Sequence, residues 1–252
     1  MRKLKLILGA VAVLFTSLLM TSTLRAETVK LTSLEWPPYT SASMKEQGAS
    51  VAVAKAAFAA MGHELVVDFY PWKRAVHLAK EGKKYDGYFP EYFAEELKQD
   101  FVLSDPMGSG PLGFAELKSN PVTWASLEDL KKYKVGVVSG YVNTTEFDQM
   151  VASKAIKASE ASDDVKNLLK LSSGRSDLAV VDKNVLSYLL ASDPKLKAKA
   201  GDIQFNASLL EDKQLYVCFK KGLKGEKWAN ILNEGLKKID VQAIMNNYLN
   251  SL

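Results

Sequence analysis

Several short clusters in this 252-residue chain carry side chains able to grip a small molecule. Trp36 and Tyr39 flank two prolines just after an apolar, strand-like run. Open α/β sheets present ligands at such strand ends, and the prolines stiffen the presenting loop. Trp72 opens a helix-like stretch beside a second strand end. Two facing tryptophan rings would sandwich a flat or cationic group at about 0.5–2 kcal/mol per contact; the alternative is that both rings are ordinary core residues. Arg74 falls in the first turn of the same helix, where the dipole disfavours a cation, so an anionic ligand or a carboxylate such as Asp68 or Glu91 would account for it. Tyr88, Pro90, Glu91 and Tyr92 follow a third strand, with Glu91 an acceptor for a cationic group. Ser139, Gly140, Tyr141 and Asn143 lie between a strand and a helix, where exposed backbone N–H groups bind anions unless the segment is a plain turn. Asp182 closes the apolar run 178–181 and is placed to cap the helix that follows.

Other chemistries are poorly supplied. His63 and His77 are the only histidines and form no metal-ligand spacing, so neither a metal nor a cofactor is expected. A nucleophile elbow, a phosphate-cradling glycine loop and a dinucleotide fingerprint are all missing from the sequence. Cys218, the single cysteine, sits among Tyr216, Val217 and Phe219 and reads as a small buried hydrophobe.

The first 26 residues have the layout of a secretory signal peptide: Arg2, Lys3 and Lys5, then an apolar stretch to Met20, then a polar segment ending at Ala26, after which cleavage is expected. This segment holds four basic and no acidic residues, so the formal charge of +4 vanishes without it and gives no reason to expect nucleic acid or membrane binding. A second apolar stretch of spanning length does not follow, and the expected product is a soluble, periplasmic monomer.

These side chains need a frame. Strand-like runs are expected over 28–34, 64–69, 85–89, 134–138, 177–181 and 214–219, alternating with amphipathic stretches, which is the pattern of an α/β protein with largely parallel sheets. Val51, Ala54, Phe58 and Met61 mark one helical face and Gly62 its end. A second helix runs from about Trp72 to Lys80 with Gly82 as its stop. Ser126 with Asp129 reads as a capping box, and Ser162 and Asp240 as helix caps. Gly108, Gly110, Pro111 and Gly113, ahead of the apolar run 112–117, suggest a hinge between two lobes, with the return near 209–216. The first lobe is then discontinuous, 27–112 and 210–252, and the second is 113–209.

Six motifs in order carry a resemblance: Trp36-Pro37-Pro38-Tyr39, Trp72-Lys73-Arg74-Ala75, Tyr85-Asp86-Gly87-Tyr88-Phe89, Phe101-Val102-Leu103-Ser104-Asp105-Pro106, Val135-Gly136-Val137-Val138-Ser139-Gly140, and Gly174-Arg175-Ser176-Asp177 continuing through Asp182. Over essentially the whole mature chain the sequence resembles bacterial extracellular solute-binding proteins of family 3, the polar-amino-acid type. The resemblance implies a periplasmic binding protein type II-like fold, two α/β lobes joined by two crossing hinge strands, a small-molecule ligand held in the cleft, and delivery to an ABC-transporter permease. Trp36 and Trp72 then match its two aromatic walls, and Asp182 matches the acid that grips an amino group. The family's carboxylate-gripping arginine falls here at Leu97, and the neighbouring Lys98 lacks the planar fork. Either Arg74 has taken over the anion or the ligand has no α-carboxylate. The expected action is hinge closure on a polar, amino-acid-like, amine or aromatic-acid solute, with no catalysis. The alternatives are a ligand-binding partner of a membrane sensor and, behind it, a cyclohexadienyl-dehydratase-like enzyme using Glu91 as acid and Arg74 as clamp.

Overall fold

The computed structural model describes residues 26–252, so the segment read as a signal peptide lies, Ala26 apart, outside the described residues. The first half of the chain alternates strands and helices: β1 (Thr28–Ser33), α1 (Ala49–Ala60), β2 (Glu64–Phe69), α2 (Trp72–Glu81), β3 (Gly87–Tyr92) and the short β4 (Phe101–Leu103). Along α1, Val51, Ala54, Ala57 and Phe58 recur at helical spacing and are all buried. Along α2 the buried residues are Trp72, Ala75 and Ala79, and Gly82 stops the helix in the left-handed conformation at φ 64°. Glycine adopts that conformation without the steric penalty of a Cβ.

β5 (Ser109–Leu117) leads into the second half, which contains β6 (Lys134–Val138), α3 (Thr145–Ala152), β7 (Lys157–Ala161), α4 (Asp164–Ser172), β8 (Leu178–Asp182) and α5 (Lys183–Ser192). The chain returns along the 18-residue β9 (Ile203–Lys220) and ends in α6 (Leu223–Leu236) and α7 (Val241–Leu249). The strand order is β2-β1-β3-β9-β5-β8-β6-β7, with β4 also on β9. β1 pairs parallel to β2 and β3, and β6 pairs parallel to β7 and β8. β9 runs antiparallel to β3 and β4 through its last residues and antiparallel to β5 over the rest, so β5 and β9 are the two strands that cross. Fold class, crossing strands and parallel pairing all follow the sequence expectation.

Local differences have local causes. β3 begins at Gly87 rather than 85, because Asp86 is occupied holding β1: its amide donates to Lys30 O at 2.7 Å and its carboxylate accepts from Lys30 N at 3.0 Å. β9 starts well before 214, since the polar run Glu211, Asp212 and Lys213 interrupts the apolar alternation without interrupting the ladder to β5. The capping box at Ser126 and Asp129 and the Asp240 cap form as expected. The cap of α4 is Asp163, not Ser162; its carboxylate accepts from Lys166 N at 2.8 Å, and Ser162 Oγ donates to Asp163.

The C-terminal helices pack back on the first half. The backbone of Gly235 in α6 rests on the Ala57 carbonyl of α1, and a Cβ there would collide with it. Gly235→Ala is therefore expected to destabilise the protein by about 1–3 kcal/mol, the usual cost of overpacking, read as a lower urea midpoint with an unchanged slope.

Candidate functional site

The ends of β1, β3 and β8 and the loops after β6 and β7 converge beside the crossing strands. Trp36 lies in a tight loop whose amide donates to Thr40 O at 2.7 Å. Its ring stacks on Tyr39 at 4.7 Å and meets Tyr92 edge-on at 6.0 Å. Trp72 begins α2, packs edge-on against Tyr88 at 5.4 Å and Tyr141 at 5.8 Å, and its indole N–H donates to Gly140 O at 2.8 Å. Because Trp72 belongs to the first half of the chain and Gly140 and Tyr141 to the second, this bond spans the gap. A second bridge runs from Tyr39, whose hydroxyl donates to Asp182 at 3.2 Å and accepts from Asn184 Nδ2 at 2.7 Å. Gly110 makes this possible, since a Cβ there would strike both the Asp182 carboxylate and the Tyr39 hydroxyl.

Two small cavities remain between the halves, about 30 Å³ and about 10 Å³, and they share Trp36, Tyr92 and Tyr141. Glu91 lines the larger and Asp164 and Asp182 the smaller. A wider opening of about 700 Å³ reaches Trp72 and Tyr141 from outside, past Glu35, Tyr70, Asp163 and Lys166. Glu91 is carried on β3 just past a register shift between Tyr88 and Glu91, an irregularity of the kind that re-aims a side chain. Its carboxylate accepts from the Tyr88 hydroxyl at 3.0 Å and from the Tyr92 amide at 2.9 Å. Burial nevertheless dominates and pushes its pKa up to about 8. Burial likewise raises Asp164 to about 7, although the Tyr141 hydroxyl donates to it at 3.2 Å, and Asp182 to about 7, although Asn184 N and Val185 N donate to it.

The sequence-derived candidates divide. Trp36, Trp72, Glu91, Tyr141 and Asp182 all line these cavities. Tyr39 and Tyr88 stand behind them, holding Asp182 and Glu91. Gly140 contributes a carbonyl rather than an amide. Three of the amides expected for an anion cradle in its loop are used within the protein: Ser139 N donates to Ala161 O, Tyr141 N to Val138 O and Asn143 N to Asp148. Arg74 is displaced from the expected place: it lies two residues, or about 200° of helix, from Trp72, and so faces solvent with its guanidinium 5.1 Å from the Tyr70 ring centroid. Lys98 also turns outward, to Glu95 at 2.8 Å, while Leu97 packs on the core. Asp182 caps α5 as well as lining the cavity. Sequence reading misses Asp164 and understates Tyr92. The adjacent Asp163-Asp164 after a strand is the available signal, one acid for the cap and one for the gap.

By sequence, no family model and no curated protein matches the chain. By structure, the chain is similar to a histidine kinase sensor domain with similarity to periplasmic binding proteins (TM-score 0.74, 18% identity, 89% of this chain and 96% of that one). It is also similar to an ancestral arginine-binding protein bound to arginine (TM-score 0.70, 20% identity, 89% and 97%). A third similar structure is an amino acid ABC transporter substrate-binding protein from Streptococcus pneumoniae bound to L-arginine (TM-score 0.70, 18% identity, 89% and 95%). The fold is that of the two-lobed periplasmic binding proteins. The gap described above is the cleft between the two lobes. Among the described residues no helix is long and apolar enough to cross a membrane, and no cluster of three or more metal-ligating side chains occurs.

The raised carboxylates set a pH dependence. Glu91, Asp164 and Asp182 keep their protons in the folded protein to about pH 7–8 but release them near 4 when unfolded, so the folded state binds more protons across that window. The stability they contribute is complete below about pH 4 and is lost as pH rises through 7–8. Urea unfolding of the ligand-free protein is expected to show a lower free energy at pH 8 than at pH 5, with a shallower decline in Glu91→Gln; equal values at both pH values would contradict the burial of these groups.

Proposed function

We propose that this protein is a periplasmic solute-binding protein that captures a small polar molecule between lobes 27–112 with 210–252 and 113–209, and closes on it by rotation about β5 and β9. The observation that carries this reading is the pair of bridges across the cleft, Trp72 to Gly140 and Tyr39 to Asp182, beside cavities lined by aromatic rings and buried acids. The solute contacts assigned to the cleft are Trp36, Trp72, Glu91, Tyr141 and Asp182, with Tyr39 and Tyr88 positioning the acids. The similar substrate-binding protein belongs to an ABC transporter, which supports delivery to a membrane permease, and binding without turnover is the assigned activity. Likeness to a histidine kinase sensor domain favours, as a second reading, use of the same cleft to report a solute to a membrane sensor.

Mass spectrometry of the solute released from gently denatured periplasmic protein tests the cleft directly, followed by thermal-shift screening of amino acids, amines, short peptides and aromatic acids. A ligand present at one hundred times its dissociation constant adds about 2.7 kcal/mol of stability. Trp72→Ala is expected to weaken the captured solute by about 1–3 kcal/mol, through loss of both its ring contact and the bridge to Gly140, while leaving the circular dichroism spectrum unchanged. Undiminished affinity in this variant would place the binding site elsewhere.

A further inference from the structure

The polar groups lining the two small cavities are one-sided, and the basic Lys166 stands only in the wider opening outside them. Glu91 lines one cavity and Asp164 and Asp182 the other, while among the described residues neither cavity is lined by a lysine, an arginine or a histidine. The one buried lysine among the described residues, Lys213 on β9, lies 5.7 Å from the Tyr92 ring centroid, pairs with Glu211 at 3.6 Å and offsets only part of the burial of Glu91. Tyr92 supplies an independent sign. It is 6% exposed and forms part of the wall of both cavities, and its hydroxyl has no hydrogen-bond partner among the described residues. Buried hydroxyls in folded proteins are nearly always paired, so an orphan on a cavity wall marks a place where a partner belongs. The carboxylates also retain acceptor capacity, since Asp182 Oδ2 receives only the Tyr39 hydroxyl and Asp164 Oδ2 only that of Tyr141.

Resting on the solute-binding role proposed above, we propose that the cleft selects a short alkylamine in its ammonium form that carries no carboxylate, with the Tyr92 oxygen and the carboxylates of Glu91, Asp164 and Asp182 accepting its N–H groups. The rings of Trp36 and Tyr141 cover its apolar body and face its charge. The small volumes of the two cavities, about 30 Å³ and about 10 Å³, restrict that body to a few carbon atoms. A carboxylate-bearing analogue would bring a negative group into a place with no guanidinium or ammonium to receive it, because Arg74 faces solvent and, among the described residues, neither cavity is lined by a basic side chain. Around the three acids stand Tyr88, Cys218, Lys213 and Asp148 near Glu91, Tyr141 and Asp163 near Asp164, and Tyr39 near Asp182. Lysine is the one cation in that set, so an entering ammonium is the counter-charge that lets buried acids ionise, and its binding near pH 7 releases protons.

Isothermal titration calorimetry with ethylamine, n-butylamine and 1,4-diaminobutane, each set against β-alanine and 4-aminobutanoate, tests this. At least one amine is expected to bind more than about tenfold tighter than both amino acids, with a heat that varies with the ionisation enthalpy of the buffer because protons are released. Tyr92→Phe is expected to leave the ligand-free protein as stable or more so, having no internal bond to lose, and yet to weaken the amine; Glu91→Gln and Asp164→Asn weaken it as well. Equal or tighter binding of the amino acids would overturn the amine selectivity and leave solute capture standing. An inert panel, with mass spectrometry finding another solute whose affinity Trp72→Ala reduces, would do the same. Amine binding indifferent to all four substitutions would overturn both the amine site and the cleft.

Discussion

The antiparallel pairing of β5 with β9 is the constraint on which the rest of the molecule depends. β9 donates one end of its length to β3 and β4 and the other to β5, so a single strand is a full member of both halves of the sheet. Its register against β5 shifts twice, between Leu112 and Gly113 and again before Ala115. Such shifts bend and twist a ladder locally, which allows two α/β lobes to face one another instead of continuing as a flat sheet. The cleft floor is built from these strands: Leu112 and Leu215 line the cavities, and Gly110, opposite Lys213, leaves room for Tyr39 to reach Asp182.

Burial over that floor changes the electrostatics of what is covered. Each of Glu91, Asp164 and Asp182 has at least one hydrogen-bond donor, yet burial outweighs those donors and favours the neutral acid in all three. The tyrosines arranged around them, Tyr88 on Glu91, Tyr141 on Asp164 and Tyr39 on Asp182, are hydroxyl donors without charge, so they orient the carboxyl groups without neutralising them. The result is a pair of cavities polar in geometry and, among the described residues, lined by no basic side chain.

The parts legible in the sequence are those in which one residue has one structural demand. Strand periodicity, Gly82 at a left-handed stop, the Ser126 and Asp129 capping box, and Trp36 and Trp72 at strand ends all follow from local rules. The unreadable parts are those where two demands compete. The position of Arg74 in the helix dipole is unfavourable and points to a ligand, but helical phase decides its direction, because Trp72 and Ala75 face the core and Arg74 falls opposite. The 139–143 loop looks rich in free amides, yet three of its donors go to Val138, Ala161 and Asp148, a partner set that only tertiary structure reveals. Asp164 is hidden by its neighbour Asp163, which takes the capping role expected of Ser162. The helices Thr145–Ala152 and Lys183–Ser192 are legible only through what precedes them, the 139–143 loop and the Asp182 cap, while their bounds come from the structure.

On the solute-binding reading proposed above, the weakness of the bridges across the cleft sets what a solute must supply to control the shape of the molecule. An indole N–H on a carbonyl oxygen and a phenol on a carboxyl group are worth about 0.5–1.5 kcal/mol each in net terms, so neither Trp72 with Gly140 nor Tyr39 with Asp182 can lock the lobes together. Shifting a two-state equilibrium from 1:99 to 99:1 takes about 5.5 kcal/mol of differential affinity. That difference must come from groups brought together only when the lobes meet: Trp36, Glu91 and Tyr92 from the first lobe, with Tyr141, Asp164 and Asp182 from the second. A ligand touching one lobe alone binds open and closed forms equally and moves nothing, however tightly it is held. On that reading the position of the acids, one on β3 and two on the opposing lobe, ties charge recognition to closure itself.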